Sequence, residues 1–322
     1  MLSLPDFKEK NIVIVFASEG QQFSIRNDNL LVKDKEEKVI LQTTCYRVLA
    51  LWIVGSGSLS SGLMERSKKF AFPIYWLSQS FRLVGQWNSS TEGNVLLRQR
   101  QYAYNDWKIA KRLMVNKIEN QIVLLKSIRN KPLSTKEAIP MLERYKTSLP
   151  FSLELSDIMG LEGIAAKVFF ENWYATLPWK GRKPRVKSDF INVLLDIGYT
   201  YLFYLVENML HLYGFDVYQG VYHRNFYKRK SLVCDLQEPF RCIVDSVIKR
   251  AYGLGQIKEE DFLLEKGQYK LRYEKSKEYT QWLLKGILEY KADIFLYCQQ
   301  YYRYFIREKP IEEYPYFEFK LS

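Results

Sequence analysis

LVGQWNSSTEGNVLLRQRQYAYNDWKIAKRLMVNKIENQIVLLKSI, residues 83–128, contains the change of pattern that decides the fold. The run at 83–87 is short, apolar and strand-like, and NSSTEG at 88–93 has no periodicity. Beyond it Ala103, Trp107, Ala110, Met114, Ile118, Ile122, Leu125 and Ile128 recur at three and four, which reads as one long amphipathic helix. Upstream, 12–16, 30–33, 38–42, 49–54 and 74–77 are also strand-like runs rich in valine, isoleucine and aromatics. KDKEE at 33–37 reads as a hairpin tip. A short helix over 60–70 interrupts the strands, with Ser58, Ser60 or Ser61 as cap and Pro73 closing its exit. Downstream, helices are expected over 136–146, 153–175, 189–213, 236–252 and 269–305. The fold class is therefore α+β multidomain: a small β domain over 1–87, a linker at 88–93, and a larger all-α domain over 94–322.

With 322 residues the chain has room for about two domains at roughly 100 to 200 residues each. Hydrophobic residues at 47% and charged residues at 26% exclude disordered, collagenous and low-complexity classes. A formal charge of +12 favours a polyanion or an acidic membrane face as partner. Cys45, Cys234, Cys242 and Cys298 form no CxxC pair, so neither a zinc knuckle nor a disulfide framework is expected, and a reducing cytoplasm fits. MLSLPDFKEK carries no secretory pattern. The best membrane-spanning candidate, 191–215, is interrupted by Asp196, Glu207, Asn208 and His211 and reads as a buried helix, so no membrane partner is expected.

Four residues stand out as candidate chemistry. Glu162 shares a helical face with Ala166, Phe169 and Trp173, where a carboxylate is unusual unless it is paired or binds a metal. Gly163, Ala165 and Ala166 beside it would admit another segment, although a rim glutamate salt-bridged to a neighbour gives the same pattern. His223 lies in GVYHRNFYKRK between two helices, on a loop, where catalytic side chains and surface histidines both occur. Asp235 and Glu238 in CDLQEPFR fall on one side of a helical turn and could equally form a capping box. Together these donors, hard oxygens and one imidazole, suit Mg²⁺ or Mn²⁺ better than zinc.

Basic clusters flank the four. KGRKPRVK carries Lys180, Arg182, Lys183, Arg185 and Lys187; after His223 come Arg224, Lys228, Arg229 and Lys230 with Phe226 and Tyr227 interleaved. Such clusters neutralise phosphates while aromatic rings stack on bases, though a charge run is also an ordinary solvated loop. GSGSLSSG at 55–62 has the look of a phosphate loop but lacks the Gly-Lys-Ser/Thr ending, and no GxSxG or HExxH occurs.

GLEG at 160–163, NVLLDIGY at 192–199, 214–220 leading to His223, and DLQEPFR at 235–241 with Asp245 following resemble, in order and spacing, the CRISPR-associated spacer integrase family, the first-numbered family of CRISPR adaptation. GSGSLSSGLMERSKKFAFPIYWLS and LRQRQY at 97–102 extend the resemblance over nearly the whole chain. It implies a β-sandwich-like N-terminal domain that dimerises and an all-α catalytic domain. It implies Glu162, His223 and Glu238 as metal ligands, with Asp235 a further acidic residue of the active site. Glu238 stands where some members have aspartate. The implied function is metal-dependent DNA endonuclease and integrase, joining 3′-hydroxyl ends of short duplexes to the CRISPR repeat in a prokaryotic cytoplasm. The implied partners are DNA, a second copy of the chain and a small second adaptation subunit. The rival readings are a non-enzymatic basic nucleic-acid scaffold and a purely hydrolytic nuclease.

Overall fold

The apolar run at 48–55 becomes an inner strand of a sheet, flanked on both sides by parallel neighbours. A computed structural model gives the protein's structure over residues 3–88, 94–183, 186–223 and 226–320. The expected linker therefore lies, from Ser89 onward, outside the described residues. The chain forms two compact units, Met1–Asn94 with Asn208–Gly214, and Val95–Glu207 with Phe215–Ser322. Strands occupy the N-terminal part and the C-terminal part is mostly helical, an α+β architecture.

In the first unit α1 (Leu4–Glu9) precedes β1 (Asn11–Ala17), β2 (Gln22–Arg26), β3 (Asn29–Lys33), β4 (Val39–Thr44), β5 (Val48–Gly55), β6 (Ser58–Leu59), α2 (Ser61–Lys69), β7 (Ile74–Leu77) and β8 (Leu83–Trp87). One sheet runs β1-β5-β7-β8 and the other β4-β3-β2-β6. Pairing is parallel between β1 and β5 and between β5 and β7, which is why β5 is apolar on both faces. Val15, Ile53 and Ile74 from one sheet share a buried core with Phe23, Leu30 and Val32 from the other and with Leu63 of α2. Ser60 caps α2, its hydroxyl accepting from the Leu63 amide, as the sequence suggests. The β3–β4 hairpin turns at 34–37, where the Asp34 carboxylate accepts from the amides of Glu36 and Lys38.

The second unit contains α3 (Val95–Ala103), α4 (Lys108–Ser127), α5 (Leu133–Ser148), α6 (Leu155–Trp173), most of α7 (Phe190–Tyr213), α8 (Ser231–Gln237), α9 (Arg241–Gly253), a hairpin of β9 (Phe262–Glu265) and β10 (Gln268–Leu271), α10 (Tyr273–Leu288) and α11 (Lys291–Ile306). Helix α4 is the hub, packing on α5, α6, α9 and the 3₁₀ turn Glu238–Phe240. Helix α7, the one described helix long and apolar enough to cross a membrane, has 83% of its most apolar window buried inside the protein.

The structure corrects three sequence expectations. The helix expected from Ala103 breaks at 104–107, because the Tyr104 hydroxyl accepts from the Ile109 amide and Asp106 accepts from the Lys108 amide, starting α4 afresh. The C-terminal part is not all-α: Lys266 and Gly267, both with positive φ (50° and 76°), make a two-residue turn that pairs β9 with β10. The expected helix over 269–305 is instead β10, α10 and α11. The break between the two helices lies at Tyr290, whose ring stacks on Phe319 and whose hydroxyl donates to the Lys320 carbonyl.

Candidate active site

Helix α4 carries four polar residues into its buried side, Asn116, Lys117, Asn120 and Gln121. Asn116 and Asn120 grip the C-terminal tail. The Asn116 amide group accepts from the Phe317 N–H and donates to its carbonyl, while Asn120 accepts from the Phe319 N–H and donates to the carbonyls of Phe317 and Pro239. Pro239 follows Glu238, so these bonds fix the 3₁₀ turn that holds that carboxylate. Pro239 has no amide hydrogen to continue α8, and the chain tightens there before α9 resumes.

Lys117 lies between two candidate ligands. Its Nζ is 2.5 Å from Glu162 Oε1 on α6 and 2.7 Å from Glu238 Oε2. The other Glu238 oxygen pairs with Arg241 at 3.1 Å. Burial alone would raise the Glu238 carboxyl, but Arg241 and Lys117 hold it down at about 2. Burial alone would lower the Lys117 ammonium; Glu162 and Glu238 outweigh that and keep it above the ordinary lysine value. Glu162 is thus a salt-bridged carboxylate, the first reading of its pattern, and shares its cation with Glu238. Side chains at Gly160 or Gly163 would meet no atom within 4 Å among the described residues of this chain.

His223 and Asp235 form the second half. Asp235 is fully buried in α8 and caps no helix. Its Oδ2 accepts from the amides of Val221 and Tyr222 at 2.6 and 3.0 Å, and its Oδ1 from the His223 amide at 2.8 Å. Oδ1 is also 2.6 Å from His223 Nδ1. A carboxylate only accepts, so Nδ1 carries the proton and Nε2 keeps the lone pair. Gly220 is required here: a Cβ would stand 2.8 Å from Asp235 Oδ2 and from the His223 carbonyl. His223 lines a cleft of about 200 Å³ with Tyr104, Trp107, Leu155 and Tyr222. Burial, then the charges of Glu162 and Glu238, push the Tyr222 phenol far above its ordinary value.

The structure therefore brings Glu162 and Glu238 together on one cation and ties His223 to Asp235. Among the described residues, no three His, Cys, Asp or Glu are gathered as a metal cluster. Two carboxylate oxygens converging on the Lys117 ammonium, which stands in for an ion, nevertheless provide donors of the hard type that Mg²⁺ or Mn²⁺ takes. Lys117, Tyr222 and Arg241 were not singled out by the sequence. The available signal was the recurrence of Asn116, Lys117, Asn120 and Gln121 at helical spacing on α4.

The basic candidates divide. Lys180, Lys183, Lys228 and Arg229 are exposed, as are Phe226 and Tyr227, at 74% and 81%. Arg182 instead pairs with Asp196 at 2.8 Å and bonds Asn192, while Lys230 pairs with buried Glu207 at 2.5 Å. Arg182 and Arg241 both lie on the Tyr199 ring. Lys187 is half-buried, its carbonyl accepting from the Tyr269 amide of β10. Arg185 and Arg224 lie outside the described residues. All four cysteines are free thiols.

The fold and this acidic, lysine-bridged site define a class in which carboxylates gather around a cation next to a carboxylate-held histidine. Residues 14–284 match the family described as CRISPR associated protein Cas1, and the chain belongs to that family. It is 26% identical over 278 residues to a CRISPR-associated endonuclease Cas1 of Thermodesulfovibrio yellowstonii, covering 80% of this chain and 86% of that one. Its fold matches a chain of a Cas6-RT-Cas1–Cas2 complex with TM-score 0.82 at 20% identity, over 97% of this chain and 36% of that one. It also matches a casposase bound to integration product, with TM-score 0.77 at 19% identity over 92% and 91% of the two chains.

Proposed function

We propose that the chain is the integrase of CRISPR adaptation, a divalent-metal-dependent DNA integrase and endonuclease that joins the 3′-hydroxyl ends of a short duplex to the CRISPR repeat by transesterification. The observation that carries this reading is the meeting of Glu162 and Glu238 on one buried cation, beside a histidine fixed by Asp235, in a chain of the Cas1 family. The endonuclease name of its relative and the integration product held by the casposase support it.

Glu162, Glu238 and His223 would hold the ion. When bound, Mg²⁺ or Mn²⁺ supplies Lewis acidity for the phosphate and the reacting oxygens. The chain's own groups prepare the seat. Arg241 keeps Glu238 ionised, and Asp235 fixes His223 with Nε2 as its lone-pair nitrogen. In the reaction the 3′-hydroxyl oxygen bonds to phosphorus as the bond to the departing oxygen breaks. The attacking hydroxyl loses its proton and the departing oxygen gains one, so no water is consumed.

Lys180, Lys183, Lys228 and Arg229 contact phosphates, and Phe226 and Tyr227 offer stacking faces; Arg182, Lys187 and Lys230 shape the loops that carry them. If the complex neutralises about six to ten phosphates, affinity falls by ~10³ to 10⁵ between about 50 and 200 mM salt. A titration flat in salt would remove DNA as the main ligand. The small second subunit belongs to the same reading, since one matched fold comes from a complex containing Cas2. A homodimer through the N-terminal domain and a prokaryotic cytoplasmic location complete it.

The test is a joining reaction with a short duplex and a plasmid carrying a repeat, with Mn²⁺ and with EDTA. Joined product in Mn²⁺ alone is expected. Binding that EDTA leaves unchanged, with no strand change in either arm in the presence of the second subunit, would favour a scaffold instead.

A further inference from the structure

Lys117 needs an explanation of its own, because the family reading gives the two glutamates to a metal while the structure gives them to an ammonium. Its side chain is 7% exposed and its Nζ touches both Glu162 and Glu238, whose side chains are 21% and 3% exposed. A lysine so placed occupies the point on which both carboxylates converge. A divalent ion bound by those oxygens and an ammonium at 2.5 and 2.7 Å from them cannot share that point. Asn116 and Asn120 on either side of Lys117 are bonded to the tail at Phe317 and Phe319, which anchors the backbone of α4 there and leaves only the lysine side chain to move.

We propose that Lys117 is a built-in counter-cation that competes with the divalent metal for Glu162 and Glu238 and must be displaced for the metal to be held. This rests on the metal-site reading above. In the metal-free chain the ammonium compensates two carboxylates that would otherwise repel each other inside the protein. Metal entry transfers that compensation to the ion, and the ammonium leaves still protonated, so the exchange moves no proton. The device keeps the carboxylates ionised and close together, and it weakens metal binding by the cost of moving the lysine.

The test is Mn²⁺ affinity of the full chain without DNA, from the free-ion paramagnetic resonance signal, for wild type, Lys117→Met and Glu162→Gln. Lys117→Met is expected to bind Mn²⁺ about 10- to 1000-fold more tightly, the span over which one adjacent unit charge shifts a carboxylate's affinity for a proton. Equal or weaker binding by folded Lys117→Met, with Glu162→Gln losing the ion, would overturn the competition and leave the metal site standing. Wild-type affinity in Glu162→Gln would instead overturn the site itself. Should Lys117→Met fail to fold, wild-type protein answers the same question. Amine acylation at Lys117, followed by mass spectrometry, is expected to speed up when Mn²⁺ saturates the site, and an unchanged or slower rate overturns the displacement.

Discussion

His223→Ala lowers strand transfer by about 10³-fold or more and leaves DNA affinity within about twofold, measured by a joining assay and a binding titration on the same preparation. The size follows from losing a donor at the reacting centre: roughly 4 kcal/mol of transition-state stabilisation is a factor of 10³. The selectivity follows from geography. His223 lines the cleft beside Tyr222 and is held by Asp235, whereas the phosphate contacts are proposed for the exposed cations Lys180, Lys183, Lys228 and Arg229. Truncating the ring leaves the Asp235 bonds to the three loop amides in place, so the loop itself should persist. Transfer at the wild-type rate would remove His223 from the chemistry.

Asp235→Asn acts differently, on stability and activity together. Both carboxylate oxygens accept, one from two amides and the other from an amide and Nδ1 of His223. An amide side chain turns one of these acceptors into a donor facing donors, in a site with no exposure. Hydrogen bonds to a charged group contribute about 1.5 to 3 kcal/mol each, so losing two costs roughly 3 to 6 kcal/mol in denaturant unfolding. At temperatures where the variant is folded, transfer falls by about 10- to 100-fold, the usual effect of losing the partner that orients a ligand. ¹⁵N shifts separate orientation from mere damage. Wild-type His223 should show the Nδ1–H tautomer and the variant a mixture; an unchanged tautomer with unchanged stability would contradict this role.

Legibility in the sequence tracked how local each cause is. Strand β5 was readable because a parallel strand covered on both faces is apolar throughout. Strand β2 was not: QFSIR is half polar, and its pairing with β3 depends on Asn27 and Asp28 both taking positive φ in a two-residue turn. The α2 cap lay within three residues of its target and was readable. Glu162, His223, Asp235 and Glu238 were singled out by type and spacing, but which of them pair with one another was not legible. Asp235 looked like a cap because its partners, the amides at 221–223, are far from it in sequence. Lys117 was hidden in the helical stripe of α4 because its partners lie on α6 and the 3₁₀ turn. Arg182 and Lys230 looked like their exposed neighbours because Asp196 and Glu207 come from α7.

The most direct test of the central claim changes a single atom of the substrate. The joining reaction is run in Mn²⁺ with two duplexes, identical except that one ends in a 3′-hydroxyl and the other in a 3′-deoxy sugar. Transesterification predicts a longer, joined strand from the hydroxyl duplex and none from the deoxy duplex. Shortened strands in equal amount from both, with nothing joined, would make water the nucleophile and the chain a hydrolytic nuclease.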